Sequence, residues 1–93
     1  MQIEYDPAKR DATLLNRGLD MAEASTIFET EILTVEDGRM DYGEPRFVTI
    51  GYLKARMMFV AWTPRGSVSR IIGMRKANDR EIARFSIDQG FGD

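Results

Sequence analysis

Basic side chains that could bind an anion are concentrated in the last third of the chain. Arginine outnumbers lysine by 10 to 3 overall, and a planar guanidinium binds a phosphate through two parallel hydrogen bonds, which an ammonium cannot do. This clustering predicts a phosphate-binding surface. The alternative is a solvated basic face, or ion pairs with the acidic N-terminal half. The cluster comprises Arg65, Arg70, Arg75, Lys76, Arg80 and Arg84.

The spacing of these cations constrains how they can share a site. Arg80 and Arg84 are four residues apart and would lie on one helix face, where like charges repel unless an anion lies between them. Arg70 and Arg75 are five apart, so a regular strand would direct them to opposite faces. We therefore predict that the strand either ends before Arg75 or bulges, with Gly73 as the bulge position.

Groups for proton transfer lie close to this basic segment. Glu44 and Glu81 are the nearest carboxylates and are candidate general bases, although Glu81 also has the spacing of a helix-capping residue. Lys76, between arginines, is a candidate general acid. Arginine is better suited to stabilising charge in a transition state. Trp62 is either a core residue or a platform on which a nucleic-acid base stacks.

Composition and charge narrow the possible functions. The chain has 93 residues, enough for one domain, and contains neither histidine nor cysteine. Serine and cysteine nucleophiles activated by histidine are therefore excluded, and a zinc site is improbable. Residues 1–45 carry 4 basic and 11 acidic side chains, whereas residues 46–93 carry 9 and 4. Such asymmetry indicates either an anionic partner or attraction between the two halves. Without a membrane-spanning run or signal-peptide core, we expect a cytoplasmic protein.

Helices that would position these residues are marked by their caps. Asp6-Pro7 predicts a helix start and Gly18 its end. Asp20 then caps a second helix, with Glu23 three residues later. A last helix begins near Asn78, with Glu81 closing its cap. The apolar sides predicted to be buried are Ala8, Ala12 and Leu15 on the first helix, Met21, Ala24, Ile27 and Phe28 on the second, and Ile82 and Phe85 on the last.

A period of two residues predicts the strands. They cover residues 2–5, 32–35, 46–53, 56–63 and 67–74, with a polar loop over 36–45 and a Pro-Arg-Gly turn at 64–66. The strand over 56–63 is apolar on both sides, which predicts a central position. The order β-α-α-β-β-β-β-α gives a single α+β domain over residues 1–93, with helices packed on a mainly antiparallel sheet. Residues 86–93 have no clear pattern and are expected to fray.

The sequence also resembles the BrnT toxins along nearly its whole length. The opening IEYDPAKRDATLLNRGLDMAEASTIF is similar to that family's strand, Asp-Pro helix start and following helix. The stretch EPRFVTIGYL resembles its Glu-x-Arg strand. The segment MMFVAWTPRGSVSRIIGMRKANDREIARF resembles its Arg-Gly hairpin and arginine-rich signature, of which RIIGMRKANDRE is the most specific part.

The resemblance implies a RelE-like toxin of a type II toxin–antitoxin system that cuts RNA without a metal or other cofactor and inhibits translation. It also implies a ribbon-helix-helix antitoxin in a complex of two toxins and two antitoxins, which contacts DNA only through the antitoxin. Its signature assigns catalysis to Arg70, Arg75, Lys76, Arg80 and Glu81. Contacts with RNA are assigned to Glu44, Arg46 and Arg65 by the resemblance, and to Arg84 and Trp62 by the reasoning above.

Departures from the family pattern leave a second interpretation open. Arg17 stands where the family has a histidine before glycine, and Gly73-Met74 replace the usual Ser-Ala. The alternative function is a degenerate homologue that binds antitoxin or RNA without catalysis. A DNA-binding module is a weaker alternative, because the sequence has no basic recognition helix.

Overall fold

Five strands form one mixed sheet in the computed structural model, which describes residues 2–39 and 43–86. The strands are β1 (Gln2–Glu4), β2 (Leu33–Glu36), β3 (Phe47–Leu53), β4 (Arg56–Arg65) and β5 (Val68–Lys76). The helices are α1 (Pro7–Arg17), α2 (Ala24–Glu29), which continues a 3₁₀ turn over Met21–Glu23, and α3 (Asp79–Ser86). This α+β content and element order agree with the prediction. Fraying was expected over residues 86–93; Ser86 is the last residue of α3, and residues 87–93 lie outside the described residues.

The sheet has the order β1-β5-β4-β3-β2. The pairing of β1 with β5 is parallel, and the other three pairings are antiparallel. β4 is the middle strand, as its two apolar sides predict. The turn between β4 and β5 contains Gly66 at φ 61°, a left-handed conformation that glycine adopts without strain. The predicted hairpin is therefore confirmed, but the turn is displaced from its predicted position, because Pro64 and Arg65 belong to β4 and pair with Ser69 and Val68.

The hydrophobic core lies between α2 and one side of the sheet, which we call the covered face. Met21, Ala24, Ile27 and Phe28 are buried, as their helical spacing predicts. They pack with sheet residues that include Met58, Val60, Ile71 and Met74. The helix approaches so closely that a Cβ atom on Gly51 would overlap the Ile27 carbonyl oxygen. The opposite side of the sheet, the open face, is free of α2.

Helix α1 begins and ends as predicted, but its burial was predicted wrongly. The Asp6 carboxylate accepts a hydrogen bond from the Ala8 N–H at 2.9 Å, and Gly18 ends the helix at φ 69°. No α1 residue is buried, and Leu15 is 85% exposed. The reason is its position, because α1 packs against the 3₁₀ turn over Met21–Glu23 rather than across a sheet face. Its last residue, Arg17, donates a hydrogen bond to the Met74 carbonyl at 3.0 Å.

A β-bulge in β5 determines which face its basic residues occupy. Gly73 lies opposite Ala61 while Ile71 lies opposite Trp62, so Ile72 is an extra, unpaired residue. Arg75 lies opposite Phe59 and Arg70 opposite Thr63, and both strand positions in β4 belong to the open face. The predicted bulge is thus confirmed, although its extra residue is Ile72 and not Gly73, and Arg70 and Arg75 share a face despite their odd spacing.

No helix within residues 2–39 and 43–86 has both the length and the apolar character needed to cross a membrane.

Candidate functional site

A cleft of about 530 Å³ lies on the open face of the sheet. Its floor is apolar and comes from four neighbouring strands, because residues opposite one another in a sheet point to the same side. Three arginines from three different parts of the chain line it, together with two acidic residues of the β2–β3 segment. The floor contains Val35, Val48, Phe59, Ala61 and Gly73, and the charged lining contains Arg17, Arg39, Arg75, Glu36 and Asp37.

Arg75 is held in place by the first turn of α3. Its Nη1 and Nη2 atoms donate to the two carboxylate oxygens of Glu81 at 2.8 and 2.9 Å. Glu81 also accepts from the Asn78 N–H, while the Asn78 side chain accepts from the Glu81 N–H, so the predicted capping box is complete. The guanidinium carbon of Arg75 lies 4.3 Å from the centre of the Phe59 ring. These contacts give Arg75 one defined orientation at the cleft.

The ion pair with Arg75 changes the acid–base character of Glu81. The hydrogen bonds from Arg75 lower the pKa of Glu81 to about 2. The same bonds raise the pKa of Arg75, against the opposing effects of burial and of the Arg39 charge. A carboxylate with so low a pKa is a weak base. The geometry therefore favours Glu81 as a residue that positions Arg75.

Arg39 is a second cation at the cleft, and a neighbouring carboxylate orients it. Its Nε and Nη2 atoms donate to the two carboxylate oxygens of Asp37 at 2.9 and 3.0 Å. The Asp37 side chain is only 9% exposed, whereas that of Arg39 is 82% exposed. The Arg39 guanidinium is thus exposed to solvent, whereas the Asp37 carboxylate that orients it is almost buried.

Arg17 supplies the third cation from the end of α1. Its Nη1 atom donates to the Met74 carbonyl oxygen, and the residue lines the cleft beside Gly73 and Met74. Reasoning from the sequence treated this position only as a departure from a family pattern, and it did not select Arg39. The signal that was available for Arg17 is its position beside the helix-ending Gly18, which directs the chain back toward the sheet.

Arg70 lies on the same face as Arg75 but outside the cleft lining. Its Nη1 atom donates to the Glu4 carboxylate at 2.9 Å, which ties β5 to β1. Their partner positions on β4 are Thr63 and Phe59, so the two arginines are about 13 Å apart along the strand. The structure therefore places Arg70 on the open face but outside the cleft.

Comparison with known protein families finds a match over most of the chain. Residues 5–81 match the family described as the ribonuclease toxin, BrnT, of type II toxin–antitoxin systems. The chain belongs to the BrnT toxin family. No curated protein matches it by sequence. The match includes all three cleft arginines and Glu81, so the cleft lies within the part of the chain that carries the ribonuclease toxin identity. Membership implies an RNA substrate and an antitoxin partner.

Two residues predicted to act in this toxin lie on other surfaces. Lys76 is opposite Met58, on the covered face, so it lies across the sheet from the Arg75 side chain. Trp62 is also on the covered face, where it packs against Phe28 and stacks on Phe47. Its indole N–H donates to the Thr49 hydroxyl at 2.9 Å. This packing favours the core interpretation of Trp62, and its contact with RNA stays a prediction.

The remaining residues predicted to act in the toxin lie outside the cleft lining. Arg80 is exposed on α3, and the guanidinium carbon of Arg84 lies 5.4 Å from the centre of the Phe85 ring. Arg65 in the hairpin pairs with Glu44 at 3.5 Å. Arg46 precedes β3, and its carbonyl accepts from the Asp37 N–H. None of these four arginines lines the cleft, and their roles remain predictions.

Among the described residues of the toxin, no group of three or more acidic side chains is arranged to hold a metal ion.

Proposed function

We propose that the chain is a metal-independent endoribonuclease that acts in the cytoplasm and cleaves RNA in the open-face cleft. The observation that carries the proposal is the arrangement of three arginines around an apolar floor. Guanidinium groups bind phosphate oxygens, and an apolar floor accepts a nucleobase removed from a stack. This combination fits single-stranded RNA, whose bases are accessible.

The reaction supported by this arrangement is attack of a ribose 2′-hydroxyl on the adjacent phosphate. A bond forms between the 2′-oxygen and phosphorus while the bond from phosphorus to the 5′-oxygen breaks. The proton lost by the 2′-hydroxyl is balanced by the proton that the 5′-oxygen gains. Negative charge accumulates on the phosphate oxygens in the transition state, where fixed cations stabilise it most effectively.

Arg75 is the residue best placed to stabilise that charge, because Glu81 and Phe59 fix its guanidinium before substrate binds. Arg17 and Arg39 would contact the same or a neighbouring phosphate. Arg70 and Arg80 would contact RNA farther along the open face. Glu81 acts through Arg75 and is a positioning residue, since its carboxylate is a weak base at a pKa of about 2.

The decisive experiment is incubation of the purified chain with single-stranded RNA in EDTA, with and without ribosomes. We expect cleavage in EDTA, and strong loss of activity in Arg75→Ala. Lys9→Gln, which removes an exposed cation on α1, is the matched control. If the Arg75→Ala variant cleaves RNA as fast as the parent chain, the cleft is not the catalytic site. If EDTA abolishes cleavage, the activity is not metal-independent.

We also propose that the antitoxin is a ribbon-helix-helix protein that forms a complex of two toxins and two antitoxins. The support is membership of a type II family, together with the resemblance described above. Co-expression with the neighbouring gene product, followed by light scattering, measures the stoichiometry. DNA binding by the complex but not by the toxin alone is the expected result.

The competing function is a degenerate toxin that binds without cleaving. Its specific support is the ion pair between Glu81 and Arg75, because the lowered pKa of Glu81 makes its carboxylate a poor general base. Expression of the chain alone in bacteria separates the two functions. Growth arrest that requires Arg75 supports the enzyme, whereas normal growth with a correctly folded product supports the degenerate toxin.

A further inference from the structure

A second basic concavity lies on the covered side of the sheet, next to the turn between β3 and β4. Its volume is about 240 Å³, and we call it the rear groove. Lys54, Arg56 and Lys76 line it, together with the acidic Glu23 and the apolar Met58. It does not contain any residue of the cleft.

Local backbone geometry brings these three cations together. The β3–β4 hairpin turns at Lys54 and Ala55, whose φ angles of 52° and 64° are those of a tight two-residue turn. Arg56 follows this turn, and Met58 lies opposite Lys76. Arg56 and Met58 are two positions apart on β4, so their side chains point to the same face of the sheet. Arg56 and Lys76 therefore lie diagonally across from one another on that face.

The positive charge of the rear groove is only partly neutralised. Lys54 lies 3.9 Å from the Glu23 carboxylate, and its side chain is 80% exposed. Among the described residues, Arg56 and Lys76 have no ion-pair partner. Three cations therefore face one carboxylate in a concave site, an arrangement that a bound anion would stabilise.

The rear groove adjoins the cleft at one end of the sheet. Arg17 lines the cleft and the next residue, Gly18, lines the rear groove. In the same way, Arg75 lines the cleft and Lys76 lines the rear groove. Consecutive Cα atoms are only 3.8 Å apart, but their side chains point to opposite faces of the sheet, so a flexible polyanion leaving the cleft would reach the rear groove by passing around this end of the sheet.

We propose that Lys54, Arg56 and Lys76 bind the phosphate backbone of the RNA strand beyond the nucleotides held in the cleft. The proposal rests on the proposed function, because it extends the path of the same substrate. It assigns Lys76 to binding of a neighbouring phosphate, in place of proton transfer at the scissile phosphate. The rear groove then makes affinity depend on RNA length.

The test measures binding of fluorescein-labelled 2′-O-methyl RNA, which lacks the attacking hydroxyl, by anisotropy over a range of salt concentrations. We expect a 4-mer to occupy the cleft alone and a 12-mer to be long enough to reach the rear groove as well. We compare the full chain with a variant carrying Lys54→Gln, Arg56→Gln and Lys76→Gln. The charge-retaining variant Lys54→Arg/Lys76→Arg is the matched control.

For the 12-mer, we expect the neutralised variant to bind at least about tenfold more weakly, with a slope of log K against log salt that is smaller by about 2, since each single-strand phosphate contact contributes about 0.7. The 4-mer should bind the full chain and the variant equally, and the charge-retaining variant should bind like the full chain.

Equal weakening for both RNA lengths, or an unchanged salt slope, would overturn the rear-groove proposal while leaving the proposed function in place. Loss of antitoxin binding with unchanged RNA binding would also overturn it and would assign the groove to the protein partner. If the full chain binds neither RNA, the proposed function fails as well. Circular dichroism and thermal unfolding establish that the variants are folded.

Discussion

Replacement of Glu81 by glutamine tests how the cleft works. The change removes the negative charge that faces Arg75 but retains an oxygen that can accept from the Asn78 N–H, because glutamine also completes a capping box. Arg75 would lose its bidentate partner and keep only its contact with the Phe59 ring and a hydrogen bond of 3.3 Å to the Lys76 carbonyl oxygen. The variant therefore separates the positioning of Arg75 from the capping of α3.

Two effects of this change can be estimated from the structure, namely the loss of stability and the loss of kcat/KM. The Arg75 side chain is 45% exposed, so solvent screens the pair, and we expect a stability loss of about 1 kcal/mol. That corresponds to a decrease in Tm of roughly 4–8 °C for a domain of this size. Ordering a free arginine on the substrate costs about 1.5–2 kcal/mol, which reduces kcat/KM by roughly 10- to 30-fold.

The assay is cleavage of a short RNA labelled with a fluorophore and a quencher, measured from pH 5 to pH 9. Asp79→Asn is the matched control, since it neutralises an exposed acid in the same helical turn. A general base would cost about 10²–10⁴-fold when removed. A loss beyond about 100-fold in the folded variant would refute the positioning role, and an unchanged rate would refute the importance of fixing Arg75.

Three further predictions concern stability and the cleft. The hydrogen bonds from Arg10 lower the pKa of Asp20 to about 2, and those from Arg75 lower the pKa of Glu81 to about 2. Both carboxylates therefore stabilise the fold above their usual pKa near 4, and this contribution is lost as the pH falls toward 2. The free energy of urea unfolding of an Asp20→Asn/Glu81→Gln variant should depend less on pH in this range than that of the parent chain. Gly51→Ala should destabilise by about 1–3 kcal/mol in urea unfolding because its Cβ meets the Ile27 carbonyl, whereas Gly73→Ala, with open space around its Cβ, should be close to neutral; equal effects would contradict the close packing of α2. Arg17→Ala should reduce RNA cleavage by about tenfold or more, because one donor to the developing charge is lost, while the neighbouring Asn16→Ala should not; equal rates for both variants would exclude Arg17 from the site.

Local features of the fold could be predicted from the sequence because they depend on neighbouring residues. The Asp6 cap, the Asn78–Glu81 capping box and the central position of β4 each follow from a few adjacent side chains. The burial of α1 could not be predicted in this way. Its helical spacing is regular, but the exposure of Leu15 depends on where the whole helix lies.

The candidate site was predictable only where its residues lie close together in the sequence. The pairing of Arg75 with Glu81 joins residues six positions apart through one helix cap. Arg17 and Arg39 reach the cleft from α1 and the β2–β3 segment, and only tertiary packing brings them near Arg75. The separation of Arg75 from Lys76 follows from strand alternation once the bulge fixes the register.

The extra residue in β5 has a consequence for how related chains are aligned. Without Ile72, a regular strand would still direct Arg70 and Arg75 to the open face, because the bulge absorbs one position without reversing the alternation. A spacing of four without a bulge and a spacing of five with one are therefore the same geometry. We expect single-residue deletions at this position to shorten the strand while leaving both arginines on the open face. A sequence pattern that fixes their separation at five would overlook such chains.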